Sequence, residues 1–125
     1  MNQGSILIVD NNQTLRETLR GYLAGKGYDV LLCNDGHSAL SMVATATFDI
    51  VLSDYEMPEM DGAELVRRMR ELHVRAYLIG ISVADRGREF LEAGADQFIR
   101  KDQLITALAN TIEERCREEI TRSLY

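Results

Sequence analysis

At 125 residues, with 46% hydrophobic and 27% charged residues, the chain is long enough for one domain with its own core and excludes a disordered or fibrous protein. A formal net charge of −6 and scattered Lys and Arg leave no stripe able to track phosphates, which excludes direct nucleic-acid binding. No run reaches the ~18 apolar residues of a membrane span, and the start Met1-Asn2-Gln3-Gly4-Ser5 lacks a basic-then-apolar leader, so a cytoplasmic location is expected.

In chain order, the first strand candidate is the continuous apolar run at residues 6–9, followed by Asp10 and Asn11. Leu15, Leu19, Tyr22 and Leu23 then recur at helical spacing, and Gly25 and Gly27 close that helix. A second strand at 30–32 precedes the turn Asn34-Asp35-Gly36 and a helix marked by Ala39, Leu40, Met42 and Val43. The third strand, 50–52, leads to Asp54, and a third helix carries Leu65, Val66, Met69 and Leu72. The fourth strand, 77–81, ends at Ser82, and a short helix with Phe90 and Leu91 stops at Gly94 and is weakened near its start by Gly87. The fifth strand, 97–99, leads to Lys101, and from Gln103 an apolar stripe runs Leu104, Leu108, Ile112, Cys116, Ile120 and Leu124. A helix over that span is about 30 Å long, more than a small sheet needs, so its last turns are expected to project.

Continuous rather than alternating apolar runs suit strands of a parallel sheet covered on both faces. Five strand–helix repeats with right-handed crossovers therefore predict an α/β fold, a flavodoxin-like doubly wound five-stranded parallel sheet of order 2-1-3-4-5 with an extended C-terminal helix. The whole chain, 1–125, is expected to form a single domain, with residues 113–125 as a helical linker or dimerisation extension. Ligands in such sheets sit beyond the carboxyl ends of the strands where the order reverses, here between the first and third strands.

The residues at those carboxyl ends are Asp10 and Asn11, Asp54, Ser82 and Lys101. Each alone could cap a strand or a helix, but four buried strands ending in carboxylates, an amide, a hydroxyl and an amine are costly unless these groups satisfy one another or a ligand. Two carboxylates and an amide oxygen are hard donors suited to Mg²⁺ that shares its coordination with a phosphate, while a lysine and a hydroxyl complete a phosphoryl cradle. Asp54 fits the nucleophile role best. Cys33 and Cys116 show no metal or redox spacing, and His37 and His73 stand alone, so none of the four enters the site.

The stretches Ile6-Leu7-Ile8-Val9-Asp10-Asn11-Asn12, Asp54-Tyr55-Glu56-Met57-Pro58-Glu59-Met60-Asp61-Gly62 and Gly94-Ala95-Asp96-Gln97-Phe98-Ile99-Arg100-Lys101 resemble the response-regulator receiver family, over nearly the whole chain. The resemblance implies that Asp54 accepts a phosphoryl group from a histidine kinase or phosphotransfer protein, with Mg²⁺ held by Asp10, Asn11, Asp54 and the main-chain carbonyl of Glu56. It implies that the domain catalyses only its own phosphorylation and dephosphorylation. It also implies that Lys101 pairs with the phosphoryl oxygens, that Ser82 swings to hydrogen-bond one of them, and that Phe98 changes rotamer. The face of the fourth helix, fifth strand and fifth helix then changes its affinity for partners. An aromatic at Phe98 serves equally well as a core residue, and Met57, Met60 and Met69 read as packing.

Three positions depart from the family pattern. Asn11 stands where a second acid is usual, which predicts weaker Mg²⁺ binding. Val83, larger than the usual small residue, is expected to crowd the phosphoryl pocket and slow exchange. Asp102 replaces the usual proline, which predicts a trans link after Lys101, an N-cap for the last helix and a charge competing for Lys101. Two other readings stay open: a degenerate receiver acting only as a protein-interaction module, and a flavodoxin-like cofactor binder, the latter without any Gly-rich or Ser/Thr-rich phosphate loop after the first strand. The long last helix predicts an output domain beyond the C-terminus or a homodimer.

Overall fold

The computed structural model describes residues 3–124. Five strands alternate with five helices: β1 (Gly4–Val9), α1 (Gln13–Gly25), β2 (Tyr28–Cys33), α2 (Gly36–Thr45), β3 (Ile50–Asp54), α3 (Gly62–Glu71), β4 (Tyr77–Ser82), α4 (Gly87–Ala93), β5 (Gln97–Arg100) and α5 (Leu104–Leu124), with a 3-10 turn (Lys101–Gln103) before α5. The sheet is parallel with order β2-β1-β3-β4-β5. This is the flavodoxin-like arrangement expected from the strand–helix alternation.

Side-chain alternation along β1 divides the core. Ile6 and Ile8 face one layer with Leu19 and Leu23 of α1 and Leu104 and Leu108 of α5. Leu7 and Val9 face the other, with Leu65, Val66 and Met69 of α3 and Phe90 of α4. Because each face is covered, β1 and β3 carry apolar residues at consecutive positions. The edge strand β2 is the exception: Leu31 is 48% exposed, since no helix layer extends over that position. Leu72, expected on the buried stripe of the third helix, is instead its C-cap and is 58% exposed, and Leu91 on α4 also faces solvent. The helical period places a residue on a face, but only the length of the covered surface decides whether that residue is buried.

Helix starts follow from short polar side chains. Asn12, Asp35 and Asp61 lie in extended backbone and accept from the N–H groups of Leu15, Ser38 and Glu64 at 3.0, 2.7 and 2.8 Å. Gly94 ends α4 at φ 115°, a left-handed conformation that other residues adopt only with strain. α5 has 21 residues, as the long stripe predicts; Leu104, Leu108 and Ile112 are buried, while the side chains of Cys116, Ile120 and Leu124 fall outside the described residues. No described helix is long and apolar enough to cross a membrane.

Candidate functional site

Parallel pairing aligns the carboxyl ends of β1, β3 and β4 at one sheet edge. Val9 pairs with Ser53 and Asp54 with Ile81, so Asp10, Asp54 and Ser82 fall within about one residue of a common level. All three are buried, at 0%, 3% and 0% exposure. Such groups leave water only if something compensates them.

Lys101 compensates the two acids. Its Nζ lies 2.9 Å from Asp10 Oδ2 and 3.1 Å from Asp54 Oδ1. Apart from this ammonium, neither of those buried oxygens has a hydrogen-bond partner among the described residues. The other Asp10 oxygen accepts from Asn12 N–H at 2.8 Å, and the Asp10 carbonyl accepts from Arg16 Nη1 at 2.6 Å, which fixes the loop that leaves β1. Burial and the charge of Asp10 push the Asp54 carboxyl above its ordinary pKa, against the opposing pull of Lys101. Burial alone would lower the Lys101 pKa, but hydrogen bonding and charge attraction from Asp10 and Asp54 outweigh it and leave it raised.

Ser82 takes a separate partner. Its hydroxyl donates to Glu56 Oε2 at 3.0 Å and accepts from Ala84 N–H at 3.1 Å. Asn11 is exposed and has no polar partner among the described residues. Phe98 is half buried on β5, beside Gly80 of β4, with its ring stacked on Phe90 at 5.9 Å; Phe90 in turn meets the Tyr55 ring edge-on at 5.7 Å. The structure therefore brings Asp10, Asp54 and Lys101 into direct contact, places Ser82 and Glu56 beside them, and leaves Asn11 unengaged.

Asp102 corrects one expectation. It lies inside the 3-10 turn with its carboxylate 3.6 Å from Arg100 Nε, so it neither caps α5 nor turns its charge toward Lys101. The tighter turn shifts the start of α5 to Leu104 and swings residue 102 outward. The peptide link after Lys101 is trans, there being no cis bonds in the described chain. Val83 is 68% exposed and its carbonyl accepts from Arg100 Nη2 at 3.4 Å.

Two residues escaped the sequence reading. The Glu56 side chain was given no role beyond its main chain, yet it receives the Ser82 hydroxyl; and Arg86 lies over the Tyr55 ring at 4.5 Å with its Nε 3.8 Å from Glu56 Oε1. Their only sequence signal is an acid two residues after Asp54 and a base four residues after Ser82, on loops that the sheet order makes neighbours.

As possible metal donors, the edge offers the Asp10 and Asp54 carboxylates, the amide oxygen of Asn11 and the Glu56 carbonyl. Among the described residues there is no cluster of three or more His, Cys, Asp or Glu groups suited to a metal. The donors are hard oxygens, and two of them are buried oxygens that lack hydrogen-bond partners other than Lys101, so the set fits a hard divalent cation such as Mg²⁺ rather than a transition metal.

A buried acid pair bridged by a lysine lies at the switch point of a 2-1-3-4-5 parallel sheet, the carboxyl edge at which doubly wound α/β domains take their ligands. The response regulator receiver domain family matches residues 6–113, and the chain belongs to that family. It is thus a receiver domain of two-component systems, a regulatory module. Over 110 residues, 86% of the chain, it is 36% identical to the sensor histidine kinase RcsC of Salmonella typhi, of which it spans 12%. Over 100 residues, 77% of the chain, it is 38% identical to the response regulator MprA of Mycolicibacterium vanbaalenii, of which it spans 43%. The receiver domain of the histidine kinase CKI1 from Arabidopsis thaliana, solved in complex with Mg²⁺, superposes with a TM-score of 0.79 at 32% identity, covering 91% of this chain and 92% of that one.

Proposed function

We propose that Asp54 accepts a phosphoryl group from a histidine kinase or a phosphotransfer protein, and that the modified domain changes its affinity for partners. The observation that carries this reading is the Lys101 ammonium held between the buried carboxylates of Asp54 and Asp10 at the sheet's carboxyl edge. A carboxylate oxygen of Asp54 attacks phosphorus, forming an O–P bond as the P–N bond to the donor imidazole breaks and the leaving nitrogen takes a proton. Lys101 moves its charge onto the phosphoryl oxygens, and the Ser82 hydroxyl donates to one of them. Asp10, Asn11, Asp54 and the Glu56 carbonyl would hold Mg²⁺, which supplies neutralisation of charge on the transferring group. Hydrolysis at the same edge returns the domain to its resting state, so the domain catalyses only these two steps. Phe98, stacked on Phe90, carries the change toward the face made by α4, β5 and α5.

The same reading makes residues 1–125 one receiver unit, with 113–125 leading to an output domain or pairing with a second copy, and places the domain in the cytoplasm with its kinase. Incubation with a small acyl phosphate and Mg²⁺ should add one phosphoryl mass to the protein, and Asp54→Asn should gain none. Equal labelling of both proteins, or of neither under prolonged forcing, ends the assignment. Sedimentation of the chain against a version truncated after Ile112 tests self-association of the α5 extension.

A further inference from the structure

The hydroxyl of Ser82 has one proton, and that proton is already in use: it is donated to Glu56 Oε2 at 3.0 Å, with Glu56 Oε1 at 3.4 Å. Ser82 is fully buried, and its oxygen is held from the other side by the Ala84 N–H, so the hydroxyl can redirect its proton only by rotating about one bond. Glu56 also faces forward. Its Oε1 lies 3.8 Å from Nε of Arg86, the N-cap residue of α4, an ion pair without a hydrogen bond. Arg86 lies over the Tyr55 ring and reaches Glu89 in the first turn of α4 at 3.1 Å. At the start of α4 the N-cap residue makes no side-chain cap, the first residue is Gly87, and its N–H donates to Asp85 Oδ1 at 3.2 Å, so Arg86 shares the start with one exposed hydrogen bond.

We infer that the Glu56 carboxylate is the latch of this switch. In the resting domain it occupies the proton of Ser82 and, through Arg86, fixes the start of α4; a phosphoryl oxygen on Asp54 competes for the same proton, and its success frees Glu56 and with it the first turn of α4. Glu56 is a positioning residue here: its side chain acts through Ser82 and Arg86. The competition part rests on Asp54 being the phosphoacceptor, whereas the tie from Ser82 to α4 exists without any phosphoryl group.

The test is a double-mutant cycle of Glu56→Ala and Ser82→Ala with two readouts. In the ligand-free protein, hydrogen exchange of the Phe90 amide, which donates to the Arg86 carbonyl at 3.1 Å, reports the first turn of α4. Glu56→Ala should speed it roughly fivefold, the scale of a half-exposed ion pair, and Ser82→Ala should add nothing to that variant. Unchanged exchange, or additive effects, overturns the latch. With Mg²⁺ and beryllium fluoride as phosphoryl mimic, Glu56→Ala should tighten binding about tenfold, the effect of one charge-assisted hydrogen bond, and less than twofold when Ser82 is already alanine. An equal gain in both backgrounds overturns the competition and leaves simple charge repulsion. If wild type binds the mimic no better than Asp54→Asn, the phosphoacceptor reading fails, while the exchange cycle still decides the latch.

Discussion

Replacing Lys101 by methionine keeps most of the side-chain volume and removes the cation that touches Asp10 Oδ2 and Asp54 Oδ1. Taking one partner from a buried ion pair costs about 3–5 kcal/mol because the remaining charge stays buried. The lower end applies: Lys101 keeps 18% side-chain exposure, and Asp10 retains its bond from Asn12 N–H. A loss of about 3 kcal/mol at neutral pH is a large share of a stability of ~10 kcal/mol, and with a urea slope of ~2 kcal/mol/M it lowers the midpoint by about 1.5 M. The pH dependence has a definite sign. The folded pKa of Lys101 is raised, so its contribution is fully present below the ordinary 10.5 and is lost as pH climbs through the folded value. On the acid side, the Asp54 carboxyl already titrates above its ordinary 3.8, so it takes up its proton early as pH falls and the gap between wild type and Lys101→Met narrows. Urea melts of both proteins from pH 4 to 10 measure the plateau and its acid limb. Stabilities within ~0.5 kcal/mol of each other at pH 7, or a gap that does not narrow toward pH 4, would refute the electrostatic account.

Asp54→Asn should stabilise the folded protein at neutral pH, because a raised carboxyl pKa means ionised Asp54 is disfavoured in the fold; the gain should vanish as pH drops below the ordinary 3.8, as thermal melts across that range will read. Gly80→Ala should cost about 2 kcal/mol or more, since a Cβ there falls on the fully buried Phe90 ring, and Phe90→Leu should recover part of the loss in the double variant's urea midpoint. Arg70→Ala should cost about 2 kcal/mol, because the guanidinium donates to the carbonyls of Gly94, Val74 and Ala76 and pairs with Asp96 at 2.8 Å; a loss under ~0.5 kcal/mol would show these bonds replaced by water. Asn11→Asp should tighten Mg²⁺ binding on the order of tenfold by calorimetry, as a third carboxylate joins the donor set.

Much of this architecture is written locally. Continuous apolar runs such as Ile6-Leu7-Ile8-Val9 declare strands buried on both faces, the turn Asn34-Asp35-Gly36 declares the start of the second helix, and Gly94 declares a stop. From these, the handedness of the crossovers leaves few sheet orders, and the polar residues at the strand ends mark the site edge. Burial at the margins was not legible: Leu31 and Leu72 carry the right residue type at the right period but lie where the covering layer has ended.

By itself, then, the chain's order of apolar and polar residues determined five strands, their parallel pairing and the convergence of Asp10, Asp54, Ser82 and Lys101. Only the tertiary structure decided who holds whom there. Periodicity assigns a residue to a face or a strand end, whereas a side chain's partner depends on which loops the packed sheet brings within 3–4 Å. So Lys101 closes on both acids, Ser82 gives its proton to Glu56, and Asp102 turns away to Arg100.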